Sequence, residues 1–374
     1  MPNQKKSPST KTKRFQFRLG ELFSGPGGIG VAAQSVTAKR KDGATYSIAH
    51  VWANDYDASS CDTYRANVVI PPRNVYCEPV DEFVKRFGEL PGIDALSFGF
   101  PCNDFSNIGE KKGLQGRFGQ LFEYGAYALD YFRPKWFFAE NVGGLSNSNE
   151  GRAFERILAR LRTAGPGYSL VPHLYRFEEY GVPQARHRIV IVGIRADIKL
   201  KFRVPIPTHA RGEYRTAREA LEATPSVTTL PNNEPTRQAT QVVERLRLIK
   251  PGENAWTASL PTRLQLNVVG ARLSNIYRRL QPDRPAYTVT GSGGGGTHMY
   301  HYAEPRALTN RERARLQTFP DSFVFQGTKE QIRKQIGMAV PPVGARAILE
   351  AILKTFAGIQ YRSASPHWEE EDAE

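Results

Sequence analysis

The sequence predicts an α/β protein with a doubly wound, mostly parallel sheet and a second, smaller and irregular domain. From Phe15 to about Pro205, short apolar runs typical of strands alternate with helical patterns, a rhythm that places helices on both faces of a parallel sheet. Between about Ile206 and Pro285 the rhythm gives way to Pro, Thr, Asn and Arg with little periodicity, as in an irregular lobe. Apolar patterning returns from Leu308 to Phe356, which we expect to pack back on the first domain.

The predicted strands all precede Pro205 and are apolar runs rich in β-branched and aromatic residues. They are Phe17 to Phe23, Tyr46 to Asn54, Asp94 to Phe98, Trp136 to Glu140, Leu170 to Phe177 and Arg188 to Ile194. Open α/β sheets bind their ligands beyond the carboxyl ends of the strands. The residues that directly follow these runs are therefore the candidates for function.

The composition narrows the class of partner. The chain has 374 residues and a formal net charge of +14, so it can bury a large core and attracts polyanions, with nucleic acid as the leading partner. The alternative is that the excess Lys and Arg only maintain solubility. No apolar run approaches the length of a membrane span, so we expect no membrane insertion. Cys61, Cys77 and Cys102 lack metal-site spacing and are too few for a disulfide framework, which indicates a reducing, cytoplasmic location and no metal.

The sequence predicts that both ends of the chain are unstructured. Residues 1–14 are rich in Lys, Ser, Thr and Pro without an apolar segment, so we expect a disordered basic arm and no secretory signal. Residues 357–374 end in the acidic stretch from Trp368 to Glu374 and are expected to form a mobile tail.

A glycine-rich turn follows the first strand, at Phe23-Ser-Gly-Pro-Gly-Gly-Ile-Gly30. Gly25, Gly27 and Gly28 permit a tight turn and bring backbone N–H groups at a helix N-terminus close to a ligand, while Phe23 can lie against an adenine ring. Asp55, after the second strand, is placed to accept hydrogen bonds from ribose hydroxyls. The pair suits NAD or S-adenosylmethionine. The alternative is a glycine turn with a capping Asp.

A lone thiol is the strongest candidate for chemistry. Cys102 ends Gly99-Phe-Pro-Cys102, directly after an apolar strand, where a thiol can act as a nucleophile. The alternative is a small buried hydrophobe. The segment that follows is flexible and basic and is a candidate lid, with a solvated loop as the alternative; its glycines and cations are Gly109, Gly113, Gly116, Lys111, Lys112 and Arg117.

Charged residues mark two further strands. Glu140 follows the apolar run from Trp136 to Ala139, and desolvation there raises a carboxyl pKa and favours the protonated form, unless Glu140 only caps a helix. In the segment Gln184-Ala-Arg-His-Arg188, alternation places Gln184, Arg186 and Arg188 on one face, which suits an anion or a base carbonyl; the alternative is a solvated basic edge.

Together these segments resemble the cytosine-5 DNA methyltransferases of prokaryotes in order and spacing. The similar segments are Phe23-Ser-Gly-Pro-Gly-Gly28, Gly99-Phe-Pro-Cys102 with Phe105-Ser106, Glu140-Asn-Val142, Gln184-Ala-Arg-His-Arg188, Arg284 to Thr290, Arg306 to Pro320, and Ile336 to Pro341. Each segment alone is a weak signal, whereas the ordered set is specific.

The resemblance implies a function for each segment. Cys102 would add to carbon 6 of a flipped-out cytosine, and Glu140 would bind ring nitrogen 3. Arg188 would hold the base carbonyl, and Arg186 would orient Glu140 or a phosphate. The implied S-adenosylmethionine site comprises Phe23, Gly25, Gly27, Gly28, Asp55, Glu78, Pro101 and Val340. The implied DNA contacts are Asn103, Ser106, Lys111, Lys112, Arg117, Gln184 and Thr290.

By the same resemblance, residues 15–205 form the catalytic and cofactor-binding domain, 206–285 the target-recognition domain, and 286–356 the closing motifs. The expected partner is double-stranded DNA, with the chain a monomer associated with the nucleoid and a cognate restriction endonuclease acting separately. Asn103 stands where the family usually has Gln, and Met338 where it often has Asn. The alternatives are a tRNA cytosine-5 methyltransferase, a non-enzymatic DNA-binding regulator and an NAD-dependent oxidoreductase.

Overall fold

The computed structural model describes residues 13–100, 121–143, 151–223, 226–267 and 273–368. Within them lies one eight-stranded sheet in the order β2-β3-β1-β5-β6-β8-β7, with β4 paired to the end of β3. Its strands are β1 (Arg14–Leu22), β2 (Thr37–Lys39), β3 (Thr45–Asp55), β4 (Val75–Cys77), β5 (Ala95–Gly99), β6 (Trp136–Val142), β7 (Tyr168–Arg176) and β8 (His187–Arg195). The fold class predicted from the sequence is confirmed.

Two strands, β8 and β2, run antiparallel to their neighbours in an otherwise parallel sheet. β1, β3, β4, β5 and β6 run parallel, whereas β8 runs antiparallel to both β6 and β7. Only residues 177–186 join β7 to β8, and a parallel pair needs a crossover of about a dozen residues or more. β2, which the sequence did not predict, is a short antiparallel edge strand on β3.

Helices cover both faces of the sheet. They are α1 (Gly28–Ser35), α2 (Ala58–Asn67), α3 (Val80–Phe83), α4 (Phe122–Phe132), α5 (Arg152–Arg162), α6 (Ala217–Leu221), α7 (Thr240–Leu248), α8 (Asn310–Leu316), α9 (Lys329–Met338) and α10 (Pro342–Ala357). β6 shows the two faces most clearly, because successive strand side chains point to opposite sides. Trp136 and Phe138 join the core that includes α10, whereas Phe137 and Ala139 join the core that includes α4 and α5.

The closing segment, residues 286–356, packs against the sheet and against part of residues 206–285. Ile348 and Ile352 of α10 lie in the same buried cluster as Leu19 of β1. A further cluster joins Tyr64 of α2 to Ile336 of α9. Residues 206–307 also hold a small cluster of their own, centred on Leu246, Ile249, Leu260, Tyr277 and Tyr300. The domain boundaries themselves stay predictions.

One described segment, Lys329–Ala357, meets the length and hydropathy of a membrane span, which the sequence analysis did not anticipate. Its apolar window is 72% buried inside the protein. The segment also divides into α9 and α10 at Ala339–Pro341. These are features of core helices.

The chain end differs from the predicted mobile tail. β10 (Ser363–Ala364) pairs with β9 (Val204–Pro205), and Trp368 packs on Phe154 of α5 with ring centroids 4.9 Å apart. The apolar Trp368 covers part of the core, which the acidic composition around it did not reveal. At the other end, Arg14 of the predicted arm already pairs with Thr45 in the sheet.

A close backbone contact fixes the end of α9. A Cβ added at Gly337 would lie 1.9 Å from the amide nitrogen of Gly291. Because the neighbour is backbone, Gly337→Ala is expected to lower the free energy of unfolding by about 1–3 kcal/mol or more, measured by urea unfolding. Gly294→Ala is the matched control, since nothing lies within 4 Å of its added Cβ. Equal stability of the two variants would contradict the close contact.

Candidate active site

The predicted nucleophile follows the end of β5. β5 ends at Gly99 and the described chain stops at Phe100, whose ring packs 6.2 Å from that of Phe122. Asn141, at the end of β6, donates from Nδ2 to the Phe100 carbonyl at 3.2 Å. This bond fixes the backbone two residues before the predicted nucleophile. The residues predicted for the loop lie outside the described residues: Pro101, Cys102, Asn103, Ser106, Lys111, Lys112 and Arg117.

Glu140 and Arg188 form a buried ion pair beside this point. Glu140 lies opposite Gly99 in the register of β5 and β6. Its Oε1 is 2.9 Å from Nε of Arg188, with side chains only 12% and 14% exposed. Burial raises the pKa of Glu140 above its usual value, and Arg188 opposes the shift. Arg188 can donate to a bound heterocycle, and Glu140 can donate to it when protonated.

The antiparallel direction of β8 brings Arg188 to this edge. Arg188 pairs with Val142, two residues beyond Glu140 on β6. It therefore lies near the start of β8 while Glu140 lies near the end of β6, and both reach the same edge of the sheet.

Gln184 lies buried under the closing segment. It is 0% exposed. Nε2 donates to the Leu316 carbonyl and to Oε1 of Gln317, and Oε1 accepts from the Val289 amide. Gln184 therefore ties the closing segment to the residues before β8, and its contact with DNA stays a prediction.

Arg186 has a similar position. It is 1% exposed, and its guanidinium donates to the carbonyls of Val289, Gly337 and Ala339 at 2.9–3.1 Å. Burial lowers its pKa, and Arg188 adds to the shift. Arg186 influences Glu140 only through its charge, since it makes no ion pair with Glu140 among the described residues. Its guanidinium is thus bound to the backbone of the closing segment, and its role of orienting Glu140 or a phosphate stays a prediction.

The glycine loop after β1 has the backbone that the sequence predicts. Phe23, Gly25 and Gly27 have φ of 54°, 53° and 98°, which is the left-handed region that favours glycine. The Ser24 amide donates to the Asn54 carbonyl at 3.0 Å, which ties the loop to β3. A Cβ added at Gly28 would lie 2.3 Å from the Val340 carbonyl oxygen, so the loop and the closing segment touch.

Asp55 organises this loop. Its Oδ2 accepts from the Gly25 amide at 2.8 Å, and its Oδ1 accepts from the Asp57 amide at 2.9 Å. Burial raises its pKa, and the two backbone hydrogen bonds oppose the shift. The sequence assigned Asp55 to ribose hydroxyls. Both of its oxygens already bind backbone, so its first role here is to hold the glycine loop.

Glu78 lies on the neighbouring strand end, as expected. Its amide donates to the Asp55 carbonyl at 3.1 Å, and its Oε1 is 3.2 Å from Nη1 of Arg86. Asn54, which the sequence analysis missed, is 1% exposed and donates to the carbonyls of Tyr76 and Glu78. Its position before Asp55 at a strand end was the available signal. Tyr56, also missed, is 64% exposed beside Asp55.

The residues of this pocket fit a nucleoside cofactor with an amino-acid tail. The Ser24 hydroxyl is buried without a hydrogen-bond partner in the described part of the chain. None of the described residues lies within 4 Å of a Cβ added at Gly25. An orphaned hydroxyl beside an open glycine backbone can bind a polar ligand group.

The fold and this site define a methyltransferase of the doubly wound α/β class. The chain belongs to the C-5 cytosine-specific DNA methylase family, whose sequence model matches residues 17–354. It is a DNA (cytosine-5-)-methyltransferase, which removes the oxidoreductase, tRNA and non-enzymatic alternatives.

Bacterial type II methyltransferases are among the known proteins similar to this chain. Type II methyltransferase M.BbvI of Brevibacillus brevis is 56% identical over 95% of this chain and 96% of its own length. Type II methyltransferase M.NgoFVII of Neisseria gonorrhoeae is 37% identical over 91% of this chain and 87% of its own. The crystal structure of a prophage-encoded DNA modification methyltransferase from E. coli is 21% identical, with a TM-score of 0.66 over 91% of this chain and 99% of its own, and supports the fold alone.

Proposed function

We propose that this enzyme is a type II, site-specific methyltransferase that modifies a flipped-out cytosine through a covalent Cys102 adduct, as the modification half of a restriction-modification system. The observation that carries the mechanism is the buried Glu140–Arg188 pair, 2.9 Å apart, opposite the strand end that leads to Cys102. The type II assignment rests on the names of the relatives, M.BbvI and M.NgoFVII.

The chemistry begins with the weak nucleophilicity of cytosine carbon 5. The Cys102 thiolate adds to carbon 6, and the electron pair displaced from the ring moves toward nitrogen 3. Glu140, whose pKa is raised by burial, donates to nitrogen 3 from its protonated form, while Arg188 holds the carbonyl oxygen. Carbon 5 then carries the electron density needed for alkylation. After methylation the carbon 5 proton passes to solvent, its electron pair restores the double bond between carbons 5 and 6 as the bond to sulfur breaks and releases the Cys102 thiolate, and nitrogen 3 returns its proton to Glu140.

The family uses S-adenosylmethionine, which when bound supplies an electrophilic methyl group. Phe23, Gly25, Gly27 and Gly28 would hold it against the start of α1, with Glu78 and Val340 as further walls. The support is the fit of the pocket described above, together with the contact between Gly28 and Val340. Asp55 would act by keeping the loop in its binding conformation.

Double-stranded DNA is the substrate, and the base must leave the helix to reach a buried pair. Thr290 is exposed and stays a predicted DNA contact. We place the enzyme in the cytoplasm as a monomer at the nucleoid, with a separate nuclease for the same site. Residues 206–285 are proposed to read the sequence.

Bisulfite sequencing of DNA from cells that express the chain tests this function. The expected result is protection of cytosines within one recurring short sequence, and no protection with Cys102→Ser. Unmodified DNA in cells that make the folded wild-type protein would contradict it.

Asp55→Asn tests the role of the loop clamp. The asparagine side chain keeps one oxygen, which can accept from one of the two backbone N–H groups, but its NH₂ group cannot accept from the other. One hydrogen bond is therefore lost. We expect the affinity for S-adenosylmethionine to fall roughly tenfold, measured by calorimetry. Asp197→Asn, at an exposed ion pair with Arg195, is the control. Unchanged cofactor affinity in Asp55→Asn would contradict the proposal that Asp55 keeps the glycine loop in its binding conformation.

A further inference from the structure

A small polar cavity lies between α8, α9 and the segment at His298, apart from the residues assigned above. Its empty volume, including the mouth, is about 250 Å³, but the space that admits the centre of a water-sized sphere is only about 10 Å³, so one phosphate oxygen, rather than a whole phosphate group, fits between the side chains as they stand. Three cationic side chains line it: Arg313, Lys329 and Arg333. The family motifs account for none of these three side chains in the mechanism above.

Arg313 is the unusual member of the cavity. It is 2% exposed, and among the described residues its guanidinium has no hydrogen bond, ion pair or cation–π contact. Burial lowers its pKa to about 10, so it remains charged at neutral pH. Buried charges in proteins are normally paired. The nearest acid along the helix, Glu312, already binds Arg306 through both carboxylate oxygens.

The neighbouring side chains leave the positive charge uncompensated. Nε of Arg333 is buried without a partner in the described structure, and Arg333 reaches only Glu330, at 3.6 Å. Lys329 donates to the Pro235 carbonyl at 2.9 Å. The one acid that lines the cavity, Glu234, is exposed and pairs with none of these cations among the described residues.

The pKa of His298 responds to the same positive charges. Burial lowers its pKa to about 4, and Arg313 and Arg333 add to the shift. The imidazole is therefore neutral at pH 7 and offers one N–H donor to an anion. His298 directly follows the glycine-rich segment Gly291–Thr297 in the chain. An anion held at the cavity would raise the pKa of His298.

We propose that the cavity lined by Arg313, Arg333 and Lys329 is a binding site for a phosphate oxyanion. Two guanidinium groups and an ammonium provide the donors that phosphate oxygens accept, and Arg presents its donors in a planar fork. The oxyanion comes either from the DNA backbone or from free phosphate. The DNA source rests on the proposed function, whereas the free-phosphate source does not.

The first experiment measures thermal unfolding of the full chain in inorganic phosphate against chloride at equal ionic strength. Phosphate is expected to raise the midpoint of the wild type by about 2 °C or more, because it binds the folded state. Arg313→Met should lose this rise. Arg346→Met, which removes an exposed charge on α10, should keep it.

The second experiment measures duplex DNA affinity against salt concentration. If a backbone phosphate occupies the cavity, Arg313→Met lowers the slope of log affinity against log salt by about 1 relative to Arg346→Met. An unchanged slope with a phosphate-dependent midpoint assigns the site to free phosphate. Arg333→Gln is the second variant, should Arg313→Met not fold.

The site would be overturned if the Arg313→Met and Arg333→Gln variants both kept the phosphate-induced rise in the unfolding midpoint and the wild-type salt slope. Absence of both effects in the wild type would also overturn it. A wild type that binds phosphate but not DNA would instead contradict the proposed function and leave the oxyanion site standing.

Discussion

Replacement of Cys102 by serine is expected to reduce methyl transfer by roughly 10⁵-fold or more, because a hydroxyl near neutral pH cannot replace a thiolate as nucleophile. The readout is transfer of labelled methyl groups to duplex DNA under single-turnover conditions. Affinity for S-adenosylmethionine should stay within a few fold, since Cys102 does not hold the cofactor.

Cys77→Ser is the matched control, because Cys77 is a free, exposed cysteine. It should keep its activity. Activity retained by Cys102→Ser would mean that the nucleophile is misassigned, and equal loss in both variants would point to a structural effect of either thiol.

Glu140→Gln is expected to lower kcat by about 10²–10³-fold. Gln can still donate a hydrogen bond to nitrogen 3, but it cannot neutralise the charge that develops there by giving up a proton. Glu123→Gln, at a surface ion pair with Arg160, provides a control of the same chemistry. The comparison uses single-turnover rates on the same duplex.

The pH profile separates this role from a structural one. Burial raises the pKa of Glu140, so its protonated fraction persists above the usual range and falls as pH rises through that pKa. The Cys102 thiolate instead increases with pH, which gives the wild type a bell-shaped profile. Glu140→Gln should lose the alkaline fall. An alkaline limb that survives unchanged in the variant would contradict the assignment to Glu140.

The sheet and the order of its main strands could be predicted because each strand is a continuous apolar run. Strand direction was not predicted, although the connection at 177–186 is too short for a parallel pairing of β7 with β8. Glu140 and Arg188 were each predicted as site residues, but their ion pair was not, since the resemblance implied that Arg186 orients Glu140.

Distant parts of the chain set the contacts of two residues whose type was predicted but whose surroundings were not. Alternation predicted that Gln184 and Arg186 face a ligand, yet in the structure they bind Leu316, Val289 and Ala339. No local pattern encodes a contact over more than 100 residues of sequence. The unpaired Arg313 was hidden for the same reason, since its helix reads as an ordinary charged one until α9 packs beside it.

The most direct test of the mechanism uses a duplex in which the target cytosine carries fluorine at carbon 5. The fluorine replaces the hydrogen that must leave carbon 5 as a proton, so the covalent adduct with the enzyme cannot break down. In the presence of the methyl donor, the account predicts a covalent protein–DNA complex whose crosslinked peptide contains Cys102. A duplex that is bound but never trapped, or a crosslink at another residue, would contradict it.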